Sequence, residues 1–275
     1  MTTKVTILAP AFNEEEVITD FVMATMSGIH SNWELLIIDD GSTDATPAML
    51  QSLEAAHPRL RVITHEVNRG LGAALKTGFQ AARGEVVVTM DADLSHPLTT
   101  VPGLVKAVRE ADAAFGSRFV PGGGMVGIPK KRAAISVVGN LVFRLLFATR
   151  TRDLTTGLRA YRTEVVRGLS LNARGFAIQL EITANLIAQG RRIVELPLVL
   201  TPRPAGESKM RYLRLLPSYV STLIAMTLLR WKGALRATRD RDPELVVTEP
   251  ELDVVISLND TTTSVPEMSG QGASQ

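Results

Sequence analysis

Short apolar runs alternate with stretches of helical periodicity along the first 120 residues of the chain. The apolar runs hold seven to nine residues each and predict strands at 4–10, 33–40, 60–66, 85–93 and 113–119. Between them, apolar residues recur every three or four positions and predict helices at about 15–27, 44–56, 71–82 and 98–111. Because buried strands that alternate with helices form parallel sheets, we predict an α/β fold with a mostly parallel sheet and flanking helices.

Beyond residue 120 the order of the predicted elements changes. The elements are a glycine-rich loop at 120–129, a helix at 133–148, a strand at 155–162, a helix at 176–189, a strand at 192–200, a loop at 201–209 and a helix at 213–230. Residues 1–232 are therefore predicted to form one domain. The acidic segment 238–275 ends in Ser, Thr, Gly and Gln and is predicted to be a disordered tail.

Two of these helices, 133–148 and 213–230, are apolar over most of their surface. Their polar residues recur every four positions and form one narrow stripe on each helix: Ser136, Asn140 and Arg144 on the first, and Arg214, Ser218 and Thr222 on the second. Such wide apolar faces are typical of helices that lie in a membrane interface, and also of helices that pack on each other and on a sheet. Neither segment contains the roughly 18 to 20 uninterrupted apolar residues of a membrane span.

Charge is divided unevenly between the body of the chain and its tail. After Thr238 there are eight acidic residues against two arginines, although the whole chain carries a formal net charge of +2, so the body is basic. A basic body is consistent with an anionic partner, which could be phosphate groups, a nucleic acid or an acidic membrane surface, and equally with ordinary solubilising charge. Only 5% of the residues are aromatic, which argues against a stacking platform for a nucleic acid.

Some classes of function are disfavoured by what the sequence lacks. It contains no cysteine, which excludes disulfides, a thiolate nucleophile and cysteine-ligated zinc. There is no P-loop motif, and GLGAAL at 70–75 has leucine where a dinucleotide-binding fingerprint needs its third glycine. The first residues lack the apolar stretch of a signal peptide, so we expect a cytoplasmic location.

Acidic and amide side chains follow the predicted strands at the edge where a parallel sheet binds its ligands. The stretches are PAFNE after the first strand, DDGSTD after the second, DADLSHP after the fourth and GSRF after the fifth. In an extended strand Asp91 and Asp93 point to the same side, where they could share one Mg²⁺ or Mn²⁺ ion that offsets their repulsion and neutralises a departing diphosphate. His96 is a candidate further ligand or a residue beside the ligands. Alternatively, the two aspartates only cap the following helix.

The motifs PAFNE, IDDGSTD, NRGLGAALKTGF, MDADLSHP and GSRF together resemble those of the family 2 glycosyltransferases with the GT-A fold. RDLTTGLRAYR, GFAIQLEI and RPAGESKM narrow the resemblance to the polyprenol (dolichol) monophosphate mannose synthases. The resemblance extends from about residue 4 to 232. It implies a GT-A domain that transfers mannose, with inversion, from GDP-mannose to a polyprenyl monophosphate, with Mg²⁺ or Mn²⁺ as the cofactor.

The resemblance also implies roles for individual residues. Nucleoside binding is implied for Pro10, Phe12, Glu14, Ile38 and Asp40, metal and diphosphate binding for Asp91, Ala92 and Asp93, and phosphate binding for Arg118, Arg203 and Lys209. The implied catalytic residues are Asp93, Arg118, Arg203 and Lys209. Two departures stand out: Phe12 occupies a position that is often tyrosine, and PRP around Arg203 replaces a loop that more commonly contains an aromatic residue.

The chemistry of the implied acceptor agrees with the basic body of the chain. A lipid monophosphate is largely dianionic at pH 7, so it needs no base to attack an anomeric carbon, but it does need cations that offset repulsion from the donor diphosphate. Lys130, Lys131 and Arg132 adjoin the apolar helix and are candidates for contact with that phosphate or with anionic headgroups.

We therefore expect a peripheral enzyme at the inner face of the membrane. Its anchor would be the two amphipathic helices or a separate membrane protein. Two alternatives remain open: a different nucleotide sugar such as UDP-glucose as the donor, and a nucleotide-sugar-binding subunit without catalysis.

Overall fold

The computed structural model of the chain describes residues 4–173 and 175–202, which are built around a seven-stranded sheet. The strands are β1 (Val5–Ala11), β2 (Glu34–Asp39), β3 (Leu60–Thr64), β4 (Val86–Thr89), β5 (Ala113–Ser117), β6 (Gly124–Met125), β7 (Arg159–Arg162), β8 (Ile193–Pro197) and β9 (Val199–Leu200). The helices are α1 (Ile18–Gly28), α2 (Thr46–Ala56), α3 (Leu71–Ala81), α4 (Val101–Ala107), α5 (Lys130–Phe147), α6 (Thr163–Arg167) and α7 (Ile178–Ala188). A 3₁₀ turn at Leu98–Thr100 precedes α4.

The central sheet is mixed but mostly parallel. Its strand order is β3-β2-β1-β4-β7-β5-β8, and β7 alone runs antiparallel to its two neighbours, β4 and β5. A separate pair, β6 and β9, is parallel. The carboxyl ends of β1, β2, β4 and β5 therefore meet at one edge of the sheet, which is where ligands bind in open sheets of this kind.

Helices cover both faces of the sheet. Ile7 and Ala9 of β1 lie in one core cluster with side chains of α1, α2 and α4, whereas Leu8 between them lies in a second cluster with side chains of α3, α6 and α7. This alternation follows from the period of two in an extended strand. Because both faces are buried, the strands read as continuous apolar runs, which is why the sequence pattern identifies them.

The predicted α/β arrangement is confirmed for the first half of the chain, where all five predicted strands and all four predicted helices are present. The predicted end of the fourth strand is wrong. β4 stops at Thr89 because its pairings with β1 and β7 end there, and the chain then turns, with Leu94 at a φ of 58°. The premise that Asp91 and Asp93 share one side of an extended strand is therefore also wrong.

The second half differs more from the sequence prediction. The strand predicted over 155–162 is shortened to β7, and residues 155–158 form a loop instead. The strand predicted over 192–200 is divided, because β8 pairs with β5 while β9 pairs with β6. Strand β6 and helix α6 were not predicted. Hydrophobic period reports burial, and it carries no information on which partner a strand finds or in which direction it runs.

Some predictions fall outside the described residues. These are the loop beyond Pro202, the helix at 213–230 and the acidic tail at 238–275. Within the described ranges, no helix combines the length and the hydropathy that a bilayer crossing requires.

Gly78 of α3 lies directly against Leu8 of β1. A Cβ at this position would lie 2.2 Å from Leu8 Cδ1, far inside van der Waals contact. The helix can approach the sheet this closely only because residue 78 has no side chain.

Gly78→Ala is therefore expected to lower the Tm, although alanine is the better helix former. Helix propensity favours alanine by about 1 kcal/mol, whereas overpacking a core costs about 1–3 kcal/mol. The control is Gly139→Ala in α5, where the nearest atom, Phe143 Cε2, would lie 3.9 Å away and the Tm should hold or rise. Thermal denaturation of both variants measures the difference, and an unchanged or higher Tm for Gly78→Ala would contradict the close approach.

Candidate active site

A cavity of about 840 Å³ opens at the carboxyl edge of the sheet. Residues that follow β1, β2 and β4 line it on one side, and one face of α5 lines it on another. A volume of this size is within the range of about 300–1,000 Å³ typical of small-molecule sites.

Asp91 and Asp93 both line this cavity, although they lie beyond the end of β4. The side chain of Asp91 is 45% exposed. Asp93 is buried, and its Oδ1 accepts a hydrogen bond of 3.0 Å from Ser95 N. Ala92, between them, also lines the cavity. The turn after Thr89, rather than an extended strand, thus brings both carboxylates to the same space.

The chemistry of this pair fits a hard divalent ion. Among residues 4–173 and 175–202, no group of three or more His, Cys, Asp or Glu side chains could hold a metal ion. Mg²⁺ does not require such a group, because it commonly takes one or two protein carboxylates and fills its shell with water and substrate phosphate oxygens. The carboxylate of Asp91 also occupies space that a side chain at residue 157 would fill. A Cβ on Gly157 would lie 3.1 Å from Asp91 Oδ1 and 3.2 Å from Oδ2.

His96 is buried beside Asp91. The backbone N–H of Asp91 donates to His96 Nδ1 at 3.3 Å, and His96 Nε2 lies 3.9 Å from Asp91 Oδ2. A neutral ring that accepts at Nδ1 carries its proton on Nε2, the nitrogen that lies 3.9 Å from the carboxylate. Of the two roles considered for His96, this geometry favours support of Asp91 over metal ligation.

Four of the five residues implied for the nucleoside line the cavity: Pro10, Phe12, Glu14 and Asp40. Ile38 differs. Its side chain is fully buried in the core cluster that contains Leu75 of α3, because β2 turns alternate side chains to opposite faces of the sheet. The Ile38 side chain therefore does not reach the cavity.

Asp40 is buried and anchors the loop that follows β3. His65 Nδ1 donates to Asp40 Oδ1 at 2.7 Å, and His65 Nε2 lies 2.9 Å from Thr77 Oγ1. The backbone N–H groups of Arg69 and Gly70 donate to the same carboxylate at 3.1 and 2.7 Å. These contacts hold Gly70 at the cavity wall. Sequence reasoning missed His65, since a single histidine after a strand carries no distinctive signal.

Arg118 lines the cavity and is held by a buried ion pair. Its Nε donates to Asp153 Oδ2 at 2.6 Å and its Nη2 to Asp153 Oδ1 at 2.7 Å, while Nη2 also donates to Thr155 Oγ1 at 2.9 Å. Asp153 is fully buried. The guanidinium is therefore fixed in orientation, and Asp153 offsets much of its charge.

A second buried acid supports this pair from behind. Glu195 on β8 accepts hydrogen bonds of 2.8 Å from the backbone N–H groups of Arg152 and Asp153. Burial raises the pKa of the Glu195 carboxyl above its ordinary value, and the hydrogen bonds to it act in the opposite direction. Sequence reasoning assigned no role to Asp153 or Glu195. The RDLTTGLRAYR stretch, which carried part of the resemblance, was the available signal for Asp153.

Helix α5 turns its polar stripe towards the protein and its apolar face outwards. Asn140 is buried, and Ser136 and Arg144 are half-buried. The apolar residues of α5 that are at least 42% exposed are Ile135, Val137, Val138, Leu141, Val142, Leu145 and Leu146. Phe143 and Phe147 pack against α7. Most of the apolar face of α5 is therefore not packed on the sheet. Packing of α5 on the helix predicted at 213–230, the other part of that alternative, lies outside the described residues.

Arg203 and Lys209 lie outside the described residues.

The mostly parallel sheet carries an aspartate pair and a ligand-sized cavity at its carboxyl edge, and this architecture is GT-A-like. The chain matches the glycosyl transferase family 2 over residues 6–169 and belongs to that family. Among solved structures, glucosyl-3-phosphoglycerate synthase from Mycobacterium tuberculosis in complex with Mn²⁺, UDP and glucosyl-3-phosphoglycerate shares the fold. Its TM-score is 0.61, at 22% identity over 84% of this chain and 80% of that one.

Curated relatives are more similar in sequence. The chain is 37% identical over 213 residues to the undecaprenyl-phosphate mannosyltransferase of Micrococcus luteus, covering 75% of this chain and 87% of that protein. It is 37% identical over 220 residues to the polyprenol monophosphomannose synthase of Mycolicibacterium smegmatis, covering 76% and 82%. It is 35% identical over 213 residues to the dolichol-phosphate mannosyltransferase of Pyrococcus furiosus, covering 76% of this chain and 59% of that longer protein.

Gly157→Ala is expected to weaken Mn²⁺ binding several-fold. The added Cβ would press on both oxygens of Asp91 and displace the carboxylate by a few tenths of an ångström. Titration with Mn²⁺ and a nucleoside diphosphate, followed by calorimetry, measures the affinity. The control is Gly168→Ala, where the nearest atom, Val165 O, would lie at an ordinary 3.6 Å. Equal Mn²⁺ affinity in the two variants would show that Asp91 does not need this space.

Proposed function

We propose that the protein transfers mannose, with inversion, from GDP-mannose to a polyprenyl (dolichyl-type) monophosphate, with Mg²⁺ or Mn²⁺ as the cofactor. One observation carries the proposal: a single cavity is lined both by the Asp91–Asp93 pair and by a helix with a wide exposed apolar face. The names of the three relatives each combine mannose with an undecaprenyl, polyprenol or dolichol phosphate. These names support mannose as the sugar and a polyprenyl phosphate as the acceptor.

The donor would occupy the side of the cavity next to the sheet. Asp91 and Asp93 would hold the divalent ion, and such an ion, when bound, neutralises charge on the departing diphosphate. Phe12 offers an apolar ring to the nucleoside without the hydroxyl of a tyrosine. Asp40 acts by holding the Gly70 loop against this part of the cavity.

The acceptor phosphate would approach from the side of α5. As a dianion it needs no protein base, so its requirements are orientation and relief from repulsion. Arg118 and Arg132 both line the cavity and supply donors suited to phosphate oxygens. The Asp153 pair keeps the Arg118 side chain ordered before the acceptor arrives, which lowers the entropy lost on binding. Arg203 and Lys209 remain proposed phosphate contacts.

The exposed face of α5 would lie in the membrane interface at the cytoplasmic side. A helix that buries a polar stripe and exposes seven large apolar residues is unfavourable in water, because each such side chain gains about 1.5–3 kcal/mol on leaving it. Lys130 and Lys131 at its start suit anionic headgroups. The lipid tail of the acceptor would then lie beside α5 while its phosphate enters the cavity.

The donor is tested by giving the purified protein Mn²⁺, a polyprenyl phosphate and a panel of nucleotide sugars that includes GDP-mannose and UDP-glucose. We expect a mannolipid from GDP-mannose, and none in the presence of EDTA. Asp93→Asn keeps the shape of the side chain and removes its charge. It should lower turnover by more than about a hundredfold, the upper range for a residue that only supports a metal ligand.

Each other result has a defined meaning. Asp20→Asn, an exposed acid on α1, is the control and should retain full turnover. Formation of a glucolipid from UDP-glucose, in place of the mannolipid, would show that the donor is UDP-glucose and not GDP-mannose. Nucleotide binding without any glycolipid would identify a binding subunit. Undiminished turnover in EDTA would remove the metal from the mechanism.

Leu145→Glu is expected to reduce binding to vesicles that contain anionic lipid by about tenfold or more, since it removes an apolar contribution of about 1.5–3 kcal/mol and adds a repelled charge. Leu145 is 72% exposed on α5, so the fold should tolerate the change. Co-sedimentation with the vesicles measures binding. Met23→Glu on α1, at a residue 49% exposed, is the matched control. Equal binding of the two variants would exclude α5 as the membrane surface.

A further inference from the structure

We infer that Asn140 is a positioning residue for the acceptor side of the site: acting through Thr155, it sets the distance between Arg118 and helix α5. The inference rests on the proposed function, because it concerns how the acceptor phosphate is received. It assigns a role to a residue that sequence analysis placed only in a polar stripe.

The Asn140 side chain is almost completely buried, at 2% exposure, and makes three hydrogen bonds to described residues. Its Nδ2 donates to Ser136 O at 2.9 Å and to Thr155 Oγ1 at 3.1 Å, and its Oδ1 accepts from Leu154 N at 2.8 Å. Only the first of these bonds stays within the helix. The other two tie α5 to the loop before β7, which an aliphatic side chain of similar volume could contact but not hold in one register.

The hydroxyl of Thr155 is the junction between Asn140 and Arg118. It accepts from Asn140 Nδ2 at 3.1 Å and from Arg118 Nη2 at 2.9 Å, and it donates to Asp153 Oδ1 at 3.4 Å. A hydroxyl has one donor and two acceptor positions, so all three are in use. Arg118 and α5 are therefore connected through a single oxygen atom.

The other contacts of Arg118 make this connection stiff. Its Nε and Nη2 form the paired bonds to Asp153, and the backbone N–H of Arg118 donates to Asp153 Oδ2 at 3.1 Å. The guanidinium cannot shift relative to Thr155 without breaking bonds to a buried carboxylate, which is costly. The position of α5 is then the remaining variable, and Asn140 determines it.

This matters because the two walls of the cavity would have to act on the acceptor together. Arg118 comes from the end of β5, whereas Arg132 comes from α5, and both line the cavity. A phosphate that contacts both cations requires a constant separation between them. Among the described residues, the buried apolar contacts of α5 come from Phe143 and Phe147 near its C-terminal end, so the buried amide of Asn140 fixes the part of the helix nearer to Arg132.

The test compares Asn140→Leu with Asn185→Leu in steady-state assays, with the polyprenyl phosphate varied at saturating GDP-mannose and the reverse. Asn185 is a matched control, because its Nδ2 also donates to the backbone carbonyl four residues earlier, that of Glu181, at 2.9 Å. It lies on α7 rather than on α5. Asn140→Leu should raise the acceptor KM about tenfold, equivalent to about 1.4 kcal/mol, and leave the donor KM within twofold. Asn185→Leu should leave both KM values within twofold.

Thr155→Val provides a second variant in case Asn140→Leu fails to fold. It removes the shared hydroxyl and should raise the acceptor KM to a similar extent. The effects of the two changes should be less than additive in the double variant, because both remove the bond between Asn140 and the Thr155 hydroxyl.

Two results would overturn the inference while the proposed function stands. One is an equal acceptor KM in Asn140→Leu and Asn185→Leu, and the other is a rise of the donor KM together with the acceptor KM in Asn140→Leu. A wild-type protein that forms no mannolipid would overturn the proposed function, and the inference with it.

Discussion

The pairing of one fully buried carboxylate, Asp153, governs the geometry of the candidate active site. A carboxylate removed from water is tolerated only where hydrogen bonds and an opposite charge replace its hydration, and Arg118 supplies both. The backbone N–H groups of Arg118 and Thr156 also donate to it, at 3.1 Å each. These hydrogen bonds fix the conformation of the loop between α5 and β7 around Asp153. That conformation brings Gly157 against Asp91 and Thr155 against α5.

Helix α5 follows from the same network. An amphipathic helix in a soluble protein usually buries its apolar face. Here Asn140 and the loop at Leu154 and Thr155 make buried hydrogen bonds that only a polar face can form, so the polar stripe is turned inwards. Phe143 and Phe147 add apolar contacts at the same interface. The remaining apolar residues are left exposed, which is unfavourable in water and is the basis of the proposed contact with lipid.

Prediction from sequence succeeded where the signal is local and failed where partners are distant in the chain. The strands of the first half are buried on both faces, so they appear as apolar runs whatever their neighbours are. β4 was predicted four residues too long because the end of its hydrogen-bonded ladder depends on Leu8 and Arg159, far away in sequence. The resemblance named Asp91, Asp93 and Arg118 as site residues, and all three line the cavity. It also named Ile38, whose side chain lies in the core.

The sequence alone determined the α/β class, the edge of the sheet that carries the candidate site and most of the acidic residues there. All of these depend on hydrophobic period and on residue type at strand ends, which neighbouring positions in the chain reveal. Only the tertiary structure decided that Asp153 holds Arg118, that Glu195 supports that loop and that the polar stripe of α5 faces inwards. Each of these contacts joins residues that are tens of positions apart or on different elements. Their energies depend on burial and on the direction of hydrogen bonds, which exist only once the chain has folded.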